Sequence, residues 1–139
     1  GKATSVMEYY PTIRCWVIGG HSLGGAMAGR YVKSNPDKVK GLVLLGAYLA
    51  SEDDLSKLKI KVASIYGDRD AISTPQKVLA SKPLLPPDTS WVEIKGGNHS
   101  QFGWYGLQSG DSEAGITREE QQSQVVAAIL KLLDGIVCS

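Results

Sequence analysis

Short apolar runs alternate with longer stretches of helical periodicity along the whole chain, a pattern that predicts parallel strands covered by helices. Ala3 to Tyr10 reads as a short helix stopped by Pro11. Arg14 to Ile18 reads as the first strand, leading into a glycine-rich turn from Gly19 to Gly25. The next helix runs from about Leu23 to Lys33 and ends at Ser34-Asn35-Pro36. Its small residues Gly25, Ala26, Ala28 and Gly29 let its axis approach a sheet, at some cost in helix propensity. Gly41 to Leu45, Lys61 to Tyr66 and Ser90 to Ile94 are three further strands. Trp16 and Trp91, both placed in strands, are expected in the core. Thr74 before Pro75 caps a short helix between the third and fourth strands. Thr117 with Glu120 forms a capping box for a last helix reaching about Asp134, where Gly135 can end it. Val125, Val126, Ile129, Leu132 and Leu133 on that helix are expected to face the sheet. The fold class is α/β: one domain of about four parallel strands with helices on both faces.

Composition narrows the function classes. Of 139 residues, 42% are hydrophobic and 21% charged, as in ordinary globular domains. Lys and Arg number 15 against 14 Asp and Glu, which gives no electrostatic reason to expect a nucleic-acid partner or an anionic surface. No apolar run approaches the roughly 20 residues of a membrane span. The two cysteines make no disulfide framework and no zinc pattern. Cys15 reads as a buried reduced thiol and Cys138 as a tail residue without a role. The two histidines, His21 and His99, offer no metal cluster, and no cofactor motif is present. The Gly19-Gly20 turn has neither the G-x-G-x-x-G spacing nor the G-K-[ST] ending of a nucleotide site.

Chemistry concentrates at Gly20-His21-Ser22-Leu23-Gly24, a G-x-S-x-G pentapeptide at a strand-to-helix junction. Glycines at both ends let strand and helix approach while the central serine takes a strained turn that lifts its Oγ clear. The N–H of Leu23, at the helix start, is then free to meet a carbonyl oxygen. A serine hydroxyl needs a base, and the base an orienting carboxylate. Asp70 and His99 follow Ser22 in that order, each just after a strand, so three parallel strand ends can bring them together. Asp68 is the rival acid, although an aspartate there can also close its own turn. His21 is the rival base, but it neighbours Ser22 in a tight turn and is expected to point elsewhere. Asp88, Glu93 and Asp111 read as ordinary surface or loop charges. Phe102, Trp104 and Tyr105 either line a substrate pocket or pin a long loop to the domain.

Gly20-His21-Ser22-Leu23-Gly24-Gly25, Gly67-Asp68-Arg69-Asp70 and Gly97-Asn98-His99 resemble the nucleophile elbow, acid turn and histidine loop of the α/β-hydrolase superfamily. The run from Gly97 to Gly103, continued by Gln108-Ser109-Gly110-Asp111, resembles small serine hydrolases related to dienelactone hydrolases. The resemblance covers nearly the whole chain but only the C-terminal half of that fold. It implies a serine hydrolase of ester, lactone or thioester bonds: Ser22 the nucleophile, Asp70 the acid, His99 the base and the Leu23 N–H an oxyanion donor. The acid of that family usually falls three positions after the glycine of its turn, which favours Asp70. The resemblance also implies that the elbow strand normally has earlier strands beside it, with a loop giving a second oxyanion N–H. Here the elbow follows the first strand, so a second chain or a second copy completing the sheet is expected. The expected partner is otherwise a small ester-type substrate, and the competing function is an inactive hydrolase-like binding or interaction domain. Activity is expected to climb as pH rises through the neutral region and the imidazole sheds its proton.

Overall fold

A computed structural model describes residues 1–138. Helix α1 (Lys2–Tyr9) precedes strand β1 (Val17–His21), which feeds helix α2 (Leu23–Ser34). Strands β2 (Gly41–Leu45) and β3 (Lys61–Gly67) follow, then helix α3 (Pro75–Ala80), strand β4 (Ser90–Ile94) and helix α4 (Arg118–Asp134). The four strands form one parallel sheet in the order β1-β2-β3-β4. Alternation along each strand divides the core in two. Leu42, Leu44 and Val62 face Ala28 and Val32 of α2, while Val43, Ala63 and Ile65 face Val125 and Leu132 of α4. Helices thus cover both faces, as the doubly apolar strands require.

The helix caps follow the sequence closely. Thr74 accepts from the Lys77 N–H with Pro75 in the first turn, and Thr117 and Glu120 form the reciprocal capping box of α4. The first strand differs. It begins at Val17 and continues through Gly19, Gly20 and His21, because pairing runs from Val17–Gly41 to His21–Leu45. Gly19 and Gly20 are strand residues whose missing side chains permit contact. A Cβ on Gly19 would lie 2.8 Å from the Val43 carbonyl oxygen, and one on Gly20 2.3 Å from the Gly24 carbonyl carbon. Arg14, Cys15 and Trp16 precede the strand, and Trp16 and Trp91 are half-buried against the α2-side core.

Helix α4 also departs from expectation. Val125 and Leu132 are buried, but Val126 and Leu133 point outward and the fully buried partner is the polar Gln121. The cysteines form a disulfide rather than a thiol and a free tail, with Cα atoms 5.5 Å apart. The reason is topological. Helix α4 starts beyond the carboxyl ends of the strands and returns along the sheet, so its far end meets the start of β1. Ile136 accordingly packs against Gly41 beside Val17. A spacing of 123 residues leaves no local signal for such a bond. Closing a loop of that length stabilises by about 5 kcal/mol in the chain-entropy treatment.

Candidate active site

Ser22 lies between β1 and α2 with φ 55° and ψ −126°, the one non-glycine residue at positive φ among the described residues. Backbone in that region costs about 1–3 kcal/mol and persists where the surroundings enforce it. They do so here: the Ser22 N–H donates to the Leu45 carbonyl, and the Ser22 carbonyl accepts from Gly25 and Ala26. The chain must therefore leave the sheet and enter the helix within one residue. Gly25 lets α2 sit close, since a Cβ there would fall 2.5 Å from the Ala47 Cβ. The Ser22 hydroxyl makes no capping bond, and the Leu23 N–H heads the helix without an intrahelical acceptor. Beside them opens an apolar cleft of about 320 Å³, lined by Ser22, Leu23, Ala26, Ala47, Ala50 and Ile72.

Asp70 follows β3 and His99 follows β4, so both stand at the carboxyl edge of the sheet with Ser22. His99 Nδ1–H donates to Asp70 Oδ2 at 2.7 Å, and the two residues are 1% and 3% exposed. A carboxylate only accepts, which puts the proton on Nδ1 and leaves Nε2 with its lone pair. The other Asp70 oxygen accepts from the N–H groups of Ile72 and Ser73 at 2.9 and 2.7 Å. Asp68 is elsewhere: exposed, with its carboxylate taken by the Gly96 N–H at 2.7 Å. The structure thus joins Asp70 to His99 and sets Ser22 on the same edge, without a hydrogen bond between Ser22 and His99.

Gly46 belongs to this constellation and carried no motif to reveal it. It sits at φ 49° just after β2, and a Cβ there would lie 3.0 Å from Asp70 Oδ2 and 3.2 Å from His99 Nδ1. Only a glycine leaves the pair its room.

His21 does not point away. Its ring lies 4.4 Å from that of His99, centroid to centroid, and its Nδ1 is 2.7 Å from the Tyr105 hydroxyl. Burial, and after it the like charge of His99, hold the His21 imidazole below its ordinary range, with Asp70 pulling the other way. His21 Nε2 is buried without a partner. Phe102 is buried in the α4-side core, and Trp104 is exposed under the Arg118 guanidinium, which also donates to the Tyr105 carbonyl. These aromatics anchor the loop, and none of them lines the cleft beside Ser22.

The loop that carries His99 is held from below by amides. Gln121 accepts from the Asn98 N–H and donates to the Asn98 carbonyl at 2.8 Å, which explains a buried glutamine in a helix. Asp88 and Glu93 are surface charges, paired with Lys61 and Lys95. Asp111 is not; its carboxylate is bonded to two segments of the site. Among the described residues, no three His, Cys, Asp or Glu side chains gather as metal ligands. No described helix is long and apolar enough to cross a membrane. A larger hollow of about 480 Å³ lies at the opposite end of the strands, lined by Lys40 and Lys59 and by Lys61, which pairs with Asp88.

Solved structures share this architecture. An esterase of Rhodococcus sp. ECU1013 matches 99% of this chain and 71% of its own, at 14% identity and TM-score 0.75. A thermophilic esterase of Thermogutta terrifontis matches 93% of this chain and 68% of its own, at 16% identity and TM-score 0.68. An alpha/beta hydrolase enzyme from the metagenome of lagoon sediments at Mar Chica, Morocco, matches 96% and 68%, at 19% identity and TM-score 0.66. Among the structures compared, the chain spans from 47% to 73% of the matching chain. No curated protein sequence matches it. Residues 1–123 match the Alpha/beta hydrolase family, and a match of that extent makes the chain a member of the alpha/beta hydrolase family.

Proposed function

We propose that the chain is a serine hydrolase of carboxylic ester-type bonds, acting through an acyl-enzyme. The observation that carries the proposal is a strained serine at a strand-to-helix elbow, sharing a sheet edge with a buried carboxylate–imidazole pair. Ser22 Oγ attacks the substrate carbonyl carbon while His99 Nε2 takes its proton. Asp70 holds the tautomer that frees Nε2 and stabilises the imidazolium. The Leu23 N–H meets the oxyanion, and His99 then protonates the departing alcohol or thiol. Water attacks the acyl-Ser22 ester, with His99 again the base, and the acid departs. The apolar cleft suits an uncharged acyl group, and the likeness to two esterases supports the ester reading. The test is a fluorophosphonate probe followed by peptide mass analysis. Covalent label on Ser22, with a burst of product from an activated ester, is expected. Label elsewhere, or none, favours a binding domain instead.

A second proposal concerns what completes the site. Strand β1 is paired on one side only, and Val17 and Ile18 are apolar toward opposite faces of the sheet. No proline or lysine within Val17–His21 guards the free edge. That edge is suited to a further strand, from a second copy, a separate chain or an upstream segment. A loop beside the elbow strand supplies the second oxyanion N–H in such sites. One such donor is worth about 100- to 1,000-fold in rate. The chain alone is therefore expected to be a weak esterase that associates through β1. Supplying a strand and its loop beside β1 should raise kcat by about that factor. A monodisperse monomer as active alone as with added strands would defeat the proposal.

A further inference from the structure

Asp111 stands in the long loop between β4 and α4, and its carboxylate bridges two distant segments. Its Oδ1 accepts from the Ala71 N–H at 3.2 Å. Its Oδ2 accepts from the Ser100 N–H at 2.8 Å and the Ser100 hydroxyl at 2.7 Å. Ala71 directly follows Asp70, and Ser100, itself buried, directly follows His99. The Ser100 oxygen accepts in turn from the Gln108 N–H at 2.9 Å, and the Gln108 carbonyl accepts from the Asp111 N–H. The bridge is thereby closed upon its own loop.

Other anchors do different work. Gln121 and Asn98 tie the base loop to α4 without reaching the acid turn. Asp68 and Arg69 join the two turns near the strands, through Gly96 and Gly97. Asp111 alone among these grips the residue after the acid and the residue after the base. We propose that Asp111 is a positioning residue for hydrolysis, setting the separation of acid turn and base loop and hence the alignment of the Asp70–His99 hydrogen bond. This rests on the serine-hydrolase reading of the same site.

The charge state of the bridge fixes its pH range. Burial pushes the Asp111 carboxyl up, but hydrogen bonds from Ser100, Ala71 and Ser112 outweigh it and hold the carboxyl below its usual range. A lowered value in the folded state means the contribution is present above the ordinary carboxylate range and is lost as pH falls through the folded value. The ionisable groups facing this cluster are Asp70, His99, His21 and Tyr105, with Arg118 behind Tyr105. The bridge is thus charged from the ordinary carboxylate range upward.

The experiment compares Asp111→Ala, Asp111→Asn and Ser100→Ala in the full chain, with Asp88→Asn as a surface control. Activity is read with p-nitrophenyl acetate, and the imidazole proton of the Asp70–His99 bond by its far-downfield proton NMR signal. Asp111→Ala should lower kcat about 10- to 100-fold with KM within about twofold, because misplacement of the base weakens the chemical step rather than binding. Asp111→Asn keeps one acceptor oxygen and should lose about tenfold, by the same factor from about pH 5.5 to 9. Ser100→Ala removes one of the three bonds to the Asp111 carboxylate, together with the acceptor of the Gln108 N–H, and should lose less. The NMR signal should broaden or vanish in both Asp111 variants and persist in Asp88→Asn. If Asp111→Ala fails to fold, Asp111→Asn and Ser100→Ala decide alone. A kcat within about twofold of wild type with an unmoved proton signal, or a loss confined to KM, would overturn the assignment. If Ser22→Ala hydrolyses the ester as well as wild type, the serine-hydrolase reading falls instead. The proton signal then still decides whether Asp111 aligns the pair.

Discussion

Replacing Ser22 by alanine is expected to lower kcat on the order of 10,000-fold or more while leaving the fold intact. The loss is large because no other hydroxyl occupies the elbow, and an acyl-enzyme cannot form without it. The fold survives because alanine has the same Cβ and the Ser22 hydroxyl makes no capping bond. Glycine at the same place separates strain from chemistry. At φ 55° a serine is held in a region that glycine enters freely. Ser22→Gly should therefore be as inactive as Ser22→Ala, yet at least as resistant to thermal unfolding as the wild type. The measurements are steady-state hydrolysis and thermal melts of the three proteins side by side. Substantial turnover by either variant would end the serine mechanism. A marked loss of Tm in Ser22→Gly would show that the elbow is not strained.

The residues that carry the elbow, the strand count and the helix caps were legible in the chain because each rests on local chemistry. Gly41–Leu45 is a short apolar segment and Ser90–Ile94 a short one carrying Trp91, Val92 and Ile94, each between turn residues, and Thr117 with Glu120 is a cap that needs no tertiary partner. The sequence puts the first strand at Arg14 to Ile18, earlier than Val17–His21, because Gly19 and Gly20 look like a turn. What makes them strand residues is the closeness of Val43 and Gly24, which only the folded sheet supplies. Gln121 and Asp111 were unreadable for the same reason: each is buried or bonded by partners more than 10 positions away. The stripe on α4 holds at Val125, Ile129 and Leu132 but not at Val126 and Leu133, because an apolar residue on a helix does not say which side the sheet lies. The sequence reads His21 as pointing elsewhere because it neighbours Ser22 in what looks like a tight turn. In the fold His21 ends β1 instead, and its ring lies against that of His99.

Asp70→Asn is expected to cost about 10,000-fold in kcat/KM, whereas Asp68→Asn should stay within about twofold of wild type. The difference lies in which atoms each carboxylate faces. Asp70 Oδ1 is committed to two backbone donors, Ile72 and Ser73, so an asparagine at 70 keeps its oxygen there and turns its amide toward His99. That amide donates where the carboxylate accepted. His99 Nδ1 must then give up its hydrogen and accept, which moves the proton to Nε2, the atom that has to take the Ser22 proton. The base is present, folded and in the wrong tautomer. The substituted imidazolium also loses its counter-charge, in a pocket where both side chains are almost fully buried. Asp68 is exposed and only accepts from the Gly96 N–H, a role an asparagine oxygen fills equally well. The kcat/KM of the two variants, measured on one activated ester at the wild-type pH optimum, decides the acid. Equal losses would mean that both turns act by shape alone, and a larger loss at Asp68 would move the acid there.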